Sequence, residues 1–240
     1  MESNHKSIVL AAICLVLFFM VPVPVCAQDD IVSSFQTELS SRYSWRGIDY
    51  GTPMASGTLD IGWKGLHLEA FGGSAFGNGA GVYEIDMTAY FELGNFCFGV
   101  TDYWLNTDNP RYFRFSMPET GHLWEAYAEY YSGAVSVGWY TFFAGQDRDE
   151  DDNKQWSSYI ELTSAGLELA GLTWQAQLGI VPWSTDFYGT SGFAVSNVGL
   201  RVSRDILSSD RLSMPVYMQF TANPVVESLY FSMGLTLTFE

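Results

Sequence analysis

The amino-acid sequence predicts an all-β fold, an antiparallel up-and-down transmembrane β-barrel of about 12 strands that follows a cleaved signal peptide. Three observations predict this fold. Segments of alternating apolar and polar residues recur along the chain, the connections between them alternate between long and short, and the chain opens with an export signal. Each observation is typical of barrels that cross the outer membrane.

The export signal occupies residues 1–27. Lys6 supplies a positive charge, a long apolar run follows, and small residues lead up to Ala27. This arrangement predicts cleavage near Ala27 and leaves residues 28–240 as one barrel domain. Two other interpretations stay open, a transmembrane anchor and a lipoprotein signal at Cys26. Two prolines end the apolar run short of the roughly 20 residues that a membrane helix needs.

Charge and cysteine content limit the function classes. The chain has 27 acidic and 11 basic residues, and because the signal contains one of each, the mature net charge stays at −16. Nucleic acids are polyanions, so a nucleic-acid partner is excluded. Cys97 is the one cysteine that follows the signal, which excludes a disulfide framework within one chain and a cysteine metal site. We expect no metal and no cofactor.

The alternation begins at residues 33–47, where Phe35, Leu39, Tyr43 and Trp45 take odd positions and polar residues take the even ones. Successive side chains of a strand point to opposite faces, so one long strand with an apolar and a polar side is expected. Similar segments continue to the C-terminus. They lie near residues 34–46, 57–64, 65–72, 83–93, 96–105, 122–131, 134–143, 157–168, 172–181, 193–203, 211–221 and 227–239.

The connections alternate in length. Long ones fall at 47–56, 73–82, 106–121, 144–156 and 182–192, with a shorter one at 222–226. Tight ones fall at Lys64-Gly65, Gly94-Asn95, Ser132-Gly133 and Ala170-Gly171, with a somewhat longer one at Arg204–Asp210. Glycine supplies the positive φ that such hairpin turns need. Strands joined in this way form a meander with its long loops at one end and both termini at the other.

Two environments fit the apolar side of these strands, the core of a soluble exported barrel or lipid. The apolar sides carry roughly 60 bulky groups, more than a barrel of this strand number holds inside. Trp and Tyr gather near strand ends, including Tyr43 and Trp45, as in the aromatic girdles of membrane barrels. These features favour an apolar side that faces outer-membrane lipids.

The C-terminal segment LYFSMGLTLTFE supports the same location. Its apolar residues alternate up to Phe239, which resembles the recognition signal of bacterial outer-membrane proteins, although Glu240 follows the aromatic residue. We therefore expect the barrel-assembly machinery to be a partner of the last strand, and the cell outer membrane to be the location.

If the apolar residues face lipid, their alternates line the lumen. The charged ones among these alternates are Glu38, Arg42, Arg46, Asp60, Glu84, Asp86, Glu125, Glu129 and Arg201. Carboxylates outnumber bases, so an open lumen attracts cations. Arg42 and Arg46 are also placed to pair across the barrel with Glu84, Asp86, Glu125 or Glu129, which closes the lumen instead. Both outcomes stay open at this point.

Three functions follow from these alternatives. The first is a passive channel for small hydrophilic solutes, leaning to cations. The second is a non-conducting structural or surface-recognition barrel. The third, a lipid-modifying enzyme, is disfavoured because His67 and His122 are the only histidines after the signal and neither lies in a G-x-S-x-G or H-E-x-x-H motif. We expect no catalytic residue and interpret His122 as a hydrogen-bonded surface histidine.

A family resemblance appears in the first strand and its loop. The residues that carry it are Ser41, Tyr43, Trp45, Arg46, Gly47, Ile48, Pro53, Gly57, Leu59 and Asp60, followed by Glu84, Ile85, Asp86, Tyr90 and Gly94. This pattern, over roughly residues 40–105, resembles the TorF-type porin family of Gram-negative bacteria. The resemblance implies an outer-membrane barrel that acts as a porin, without defining a solute. From the residues themselves, we expect Arg46-Gly47 to end strand one at the external rim, with the guanidinium on a facing carboxylate such as Asp60 or Asp86.

Overall fold

The computed structural model describes residues 31–77, 83–106, 111–117 and 119–239. The expected signal peptide, residues 1–27, lies outside these residues. The strands are β1 (Ile31–Ser40), β2 (Ser44–Trp45), β3 (Ile48–Asp49), β4 (Met54–Trp63), β5 (Leu66–Ala75), β6 (Tyr83–Leu93), β7 (Phe96–Leu105), β8 (His122–Tyr131), β9 (Val135–Gly145), β10 (Ser158–Ser164), β11 (Leu167–Leu169), β12 (Leu172–Val181), β13 (Ala194–Ser209), β14 (Leu212–Asn223) and β15 (Ser228–Phe239). In this part of the chain no helix is long and apolar enough to cross a membrane.

The strands form a closed antiparallel barrel. Each large strand pairs with the next one along the chain, and β1 pairs with β15, with Phe35 opposite Phe239. β10 and β11 both pair with β12 and lie end to end along it, so together they make one interrupted strand. The ring therefore has 12 strands, which confirms the predicted up-and-down barrel.

Two strand boundaries differ most from the prediction, by six residues each. The first strand ends at Ser40 instead of continuing to residue 46, because the backbone beyond it pairs with itself: Tyr43 N–H donates to the Thr52 carbonyl at 2.7 Å. In the other case β13 continues to Ser209, because a bulge between Asp205 and Leu207 lets it stay paired with β14. Its connection to β14 is therefore a tight turn.

The outward face of the barrel is apolar. Large exposed side chains alternate along the strands, and directly paired residues such as Met218 and Met233 point to the same face. Further members of this band are Leu39, Leu68, Phe98, Trp139, Leu200, Phe220 and Phe231. A band of this extent around a closed barrel matches lipid as its solvent. The alternative of a soluble barrel with an apolar interior is wrong, because the interior contains the polar alternates.

Candidate functional site

A short hairpin crosses the interior of the barrel. It comprises residues 41–53, with β2 and β3 as its arms and Trp45 opposite Ile48. Its turn residues Arg46 and Gly47 have φ values of 50° and 81°. Two successive positive φ angles are the requirement of a type I′ turn, the turn that best joins twisted strands over two residues. The Arg-Gly pair is therefore the tip of an independent hairpin, named here the lumen hairpin.

The tip of the lumen hairpin is fixed to one wall by its backbone. The Gly47 carbonyl accepts hydrogen bonds from Asn223 Nδ2 at 2.9 Å and from the Tyr230 hydroxyl at 2.6 Å. A Cβ at Gly47 would lie 2.1 Å from the carbonyl oxygen of Ser196. The backbone thus approaches β13 so closely that only glycine fits. Contacts with β13, β14 and β15 place the tip well inside the ring.

The Arg46 side chain extends from this tip to the opposite wall. Its Nη1 and Nη2 donate to the two carboxylate oxygens of Glu125 at 2.5 and 2.8 Å. The Arg46 and Glu125 side chains are 7% and 1% exposed. The guanidinium also lies 4.2 Å from the ring centre of Tyr140 and 4.9 Å from that of Tyr159. A forked, desolvated ion pair between aromatic rings is costly to break from one side, so it holds the hairpin across the lumen.

Aromatic residues cover the hairpin. Trp45 contacts Tyr103, Phe142 and Phe187, with ring centres 5.5, 6.5 and 6.1 Å apart. Phe187 belongs to the long loop between β12 and β13, whose Tyr188 hydroxyl accepts a hydrogen bond from Arg46 at 3.1 Å. These packed rings close the space around the Trp45 side of the hairpin.

Hydrogen bonds connect the β12–β13 loop to the long loop between β9 and β10. The Ser157 hydroxyl bonds Thr185 in the β12–β13 loop and donates to Asp147, which also accepts from the Ser157 N–H at 2.8 Å. Burial raises the pKa of the Asp147 carboxyl, and the hydrogen bonds from Ser157 offset only part of this rise. The two external loops are thereby held as one cover.

The lumen hairpin separates two internal spaces, and Trp45 and Tyr140 line both of them. One space, the amide chamber, has a volume of about 390 Å³ and is lined by Glu161, Gln175, Gln177, Asn197, Arg201 and Gln219. The other, the acidic chamber, has a volume of about 340 Å³ and is lined by Glu69, Glu84, Asp86, Tyr103 and Tyr127. Both chambers are therefore polar, but amides predominate in the lining of one and carboxylates in the lining of the other.

Phenols and a histidine bond the carboxylates on the acidic side. Tyr43 donates to Glu84 at 2.6 Å, and Tyr103 donates to Glu125 at 2.9 Å. Asp60 contacts both His67 Nδ1 and the Tyr90 hydroxyl at 2.8 Å. Glu129 accepts hydrogen bonds from Tyr131 and Tyr140. Hydroxyl donors satisfy the hydrogen-bonding capacity of a carboxylate without supplying a counter-charge.

The residues expected to line the lumen occupy two kinds of position. Glu38, Asp60, Glu84, Asp86, Glu125, Glu129 and Arg201 lie on strands β1, β4, β6, β8 and β13, whereas Arg42 and Arg46 lie in the loop after β1. Arg42 pairs with Asp49 within the hairpin. Glu38 accepts from Tyr217 at 2.6 Å, and Tyr217 lies under the Arg201 guanidinium.

The prediction for the first strand was wrong in three respects. Arg46 lies at the hairpin tip inside the barrel instead of at the external rim, and its partner is Glu125, one of the carboxylates expected across the barrel, instead of the rim partners Asp60 or Asp86. Tyr43 and Trp45 face the interior instead of a lipid girdle. The reason is the turn: the positive φ values of Arg46 and Gly47 reverse the chain, so the alternating residues on both sides of the turn belong to a hairpin that leaves the wall after Ser40.

Several interior residues have no counterpart among the predicted site residues, including Tyr188, Asn197, Gln219 and Asn223. Asn197 and Gln219 occupy polar positions of predicted strands, so the alternation of those strands also identifies them. Asn223 falls in the predicted connection 222–226 and Tyr188 in a long loop, where no periodicity signals an inward position.

His122 lies on the outer face and is 1% exposed, so it is not a surface histidine. His122 lies opposite Trp104 in the β7–β8 pairing, and the side chains next to Trp104 on the same face of the sheet point outward. Its Nδ1 lies 2.8 Å from Asp102 Oδ1, and its Nε2 lies 2.5 Å from the Tyr112 carbonyl oxygen. The Phe115 ring stacks on it with centres 4.3 Å apart. The segment after β7 thus folds over the outside of the wall.

Comparison with known proteins identifies the fold. No family model matches the chain, and no curated protein matches its sequence. Among solved structures, a KdgM porin aligns with a TM-score of 0.50 at 8% identity over 86% of this chain and 98% of its own. An outer membrane channel from Pseudomonas putida F1 (TM-score 0.43, 13% identity, 89% and 96%) and outer membrane phospholipase A from Escherichia coli (0.43, 11%, 88% and 92%) also align. The chain has the fold of an outer-membrane, porin-like β-barrel.

Proposed function

We propose that the protein is a passive outer-membrane channel for small hydrophilic solutes, with a lumen constricted by the lumen hairpin. The observation that carries this proposal is the pair of polar internal chambers on either side of the hairpin. A structural barrel has no need of roomy polar cavities, and unfilled polar space inside a membrane barrel is filled by water. The hairpin sets how much of this water is continuous.

A second candidate, a non-conducting barrel, is favoured by one specific contact. The buried Arg46–Glu125 pair and the rings around it join opposite walls across the lumen. If this contact never opens, the barrel acts as a structural or surface-recognition element.

Planar-bilayer recordings separate the two candidates. We compare the purified wild-type protein with a variant in which residues 42–51 are replaced by a short glycine linker. We expect small conductance steps from the wild type and larger ones from the shortened variant. Steps from the shortened variant alone would favour the non-conducting barrel, and the absence of steps from both would refute the channel.

We further propose that the open channel leans to cations. Asp60 and Glu129 are bonded by neutral groups or by histidine, so their negative charge is kept within the lumen. Fixed negative charge along a low-dielectric wall concentrates cations and repels anions.

Membership in the TorF-type porin family is part of the proposal. Its support is that the residues carrying the resemblance, from Ser41 to Ile48, form the lumen hairpin. Cleavage of residues 1–27, a barrel domain over 28–240 and recognition of β15 by the barrel-assembly machinery are likewise proposed. Mass spectrometry of the exported protein tests the cleavage site.

We propose no enzymatic activity. Among the described residues, both ring nitrogens of His122 are occupied, by Asp102 and by the Tyr112 carbonyl, and no serine hydroxyl bonds either of them. A hydrolase of the Ser-His type needs a ring nitrogen directed at its nucleophile. A phospholipase assay in detergent micelles, with the His122→Ala variant alongside, tests this point. A His122-dependent activity would overturn it.

A further inference from the structure

The wall of the amide chamber is built from three neighbouring strands. Across β12, β13 and β14, Gln175 lies opposite Arg201, which lies opposite Gln219. Two residues further along, Gln177 lies opposite Gly199. Neighbouring strands are about 4.8 Å apart, so one row spans roughly 10 Å. Side-chain amides and a guanidinium therefore form a continuous polar lattice at the scale of a small molecule.

Much of the hydrogen-bonding capacity of this wall is unused. Within the described residues, Gln175 makes no side-chain hydrogen bond. The Asn197 Oδ1 has no partner although the residue is only 3% exposed. The Arg201 guanidinium has no carboxylate within 4.0 Å among those residues and stacks 3.6 Å from the ring centre of Tyr217. A buried amide oxygen without a partner costs free energy unless a ligand or water satisfies it.

The shape of the chamber adds to this argument. Gly199 has no side chain, and the side chain of Gln177 opposite it lies over this position, where a Cβ would be 3.2 Å from Gln177 Oε1. On the hairpin side, the rings of Trp45 and Tyr140 face the same space. Polar groups on one side and aromatic rings on the other are the usual composition of a small-molecule site, and about 390 Å³ is within the usual range of volumes.

The charges in the chamber indicate which solute fits. Besides Arg46, which is paired with Glu125, the lining contains one base, Arg201, and one acid, Glu161. These two charges balance. Amide groups donate and accept at adjacent atoms, as do neighbouring hydroxyl groups. The amide chamber is therefore suited to an uncharged solute that is rich in hydroxyl groups.

We propose that the amide chamber binds one uncharged, polyhydroxylated solute of monosaccharide size. Entry of this solute rests on the proposed channel function. The amides of Gln175, Gln177 and Gln219 contact its hydroxyl groups, Asn197 Oδ1 accepts from one of them, and the Trp45 and Tyr140 rings pack against its C–H face. The chamber is then the point at which the channel distinguishes hydroxylated solutes from salts.

Calorimetry with the purified protein in detergent tests the proposal, with glucose as the probe. We expect saturable binding to the wild type. Gln175→Leu removes an amide without breaking a hydrogen bond in the protein, so it should fold normally and weaken glucose binding about tenfold, the effect of losing one or two hydrogen bonds. Gln36→Leu is the matched control, because Gln36 lies on β1 outside the chamber, and it should leave glucose affinity unchanged.

Three results would overturn the proposal. The first is the absence of saturable glucose binding to the wild type, and the second is equal affinity in the Gln175→Leu and Gln36→Leu variants. The third is tighter binding of gluconate than of glucose, lost in Arg201→Gln, which would make the ligand an anion. Calorimetry in detergent needs no transport, so glucose binding without bilayer conductance would refute the channel alone, and conductance without glucose binding would refute the chamber alone.

Discussion

The two sides of the lumen hairpin differ in how their polar groups are satisfied. On the acidic side, Glu84, Asp60 and Glu125 each accept a hydrogen bond from a tyrosine at 2.6 to 2.9 Å. On the amide side, Gln177 and Gln219 take part in bonds of 3.3 and 3.2 Å. Short phenol–carboxylate bonds thus recur on the acidic side, whereas the amide wall is loosely bonded.

This difference shows how one barrel separates rigidity from recognition. A charge-assisted hydrogen bond from a phenol to a carboxylate is short and directional, and it fixes both side chains. Weakly bonded amides stay free to exchange partners with a solute. The lumen hairpin separates these walls, so its position decides whether a solute meets fixed charge, adaptable amides or neither.

The largest expected effect comes from removing the contact that holds the hairpin. Glu125→Gln leaves the Arg46 guanidinium buried without a counter-charge, and losing one partner of a buried ion pair typically costs about 3 to 5 kcal/mol. We expect the hairpin to leave the lumen, with conductance in planar bilayers rising several-fold.

Glu129→Gln is the matched control for that change, since Glu129 is bonded by the hydroxyls of Tyr131 and Tyr140. Conductance of this variant should stay near the wild-type value. An equal rise in both variants would mean that general loss of wall charge, and not release of the hairpin, opens the lumen.

The second prediction concerns the charge difference between the walls. Asp60→Asn removes a carboxylate from the acidic side of the hairpin, and Arg201→Gln removes a positive charge from the amide chamber. In a salt gradient, we expect the reversal potential of the Asp60 variant to move toward zero and that of the Arg201 variant to move toward stronger cation preference. Shifts of the same sign would show that the walls do not act separately.

The sequence was sufficient for the barrel itself but insufficient for the hairpin. Alternation and turn residues predicted 12 strands and an apolar outer face, because each strand repeats one physical rule along its length. At residues 41–48 the same alternation continues through Tyr43 and Trp45, but its apolar side faces a protein interior. Periodicity shows that one face of a segment is apolar, but it does not show whether that face contacts lipid or the protein interior.

The partner of Arg46 was predicted only as one of four carboxylates across the barrel, Glu84, Asp86, Glu125 or Glu129. Glu125 lies 79 positions along the chain, and its choice over Asp60 depends on how far the hairpin reaches into the lumen. A sign of the hairpin was present in the sequence: Arg-Gly between two short alternating stretches is compatible with a two-residue turn when the first residue tolerates positive φ. Glycine at the second position is typical of such a turn, whereas arginine at the first position is not, so the turn was not predicted.

A smaller effect is expected at the wall that holds the hairpin tip. Tyr230→Phe removes one of the two donors to the Gly47 carbonyl and leaves Asn223 in place. The expected cost is about 1 kcal/mol, because a single neutral hydrogen bond contributes that much. The melting temperature should fall slightly, and single-channel recordings should show more frequent brief openings. An effect on conductance as large as that of Glu125→Gln would assign the anchoring of the hairpin to its backbone contacts.

The smallest effect on transport is expected outside the barrel. His122 bonds Asp102 and the Tyr112 carbonyl on the outer face, so His122→Ala detaches the segment around Phe115 from the wall without touching either chamber. Limited proteolysis should cut this variant within residues 111–117 faster than the wild type, because the segment loses its buried contacts. Conductance and ion preference should stay unchanged. If they change, the outer face is coupled to the lumen through the β7–β8 pair. In this pair Tyr103 faces the hairpin, whereas its neighbours Asp102 and Trp104 face outward. The contrast between the two walls would then have to include the segment on the outer face.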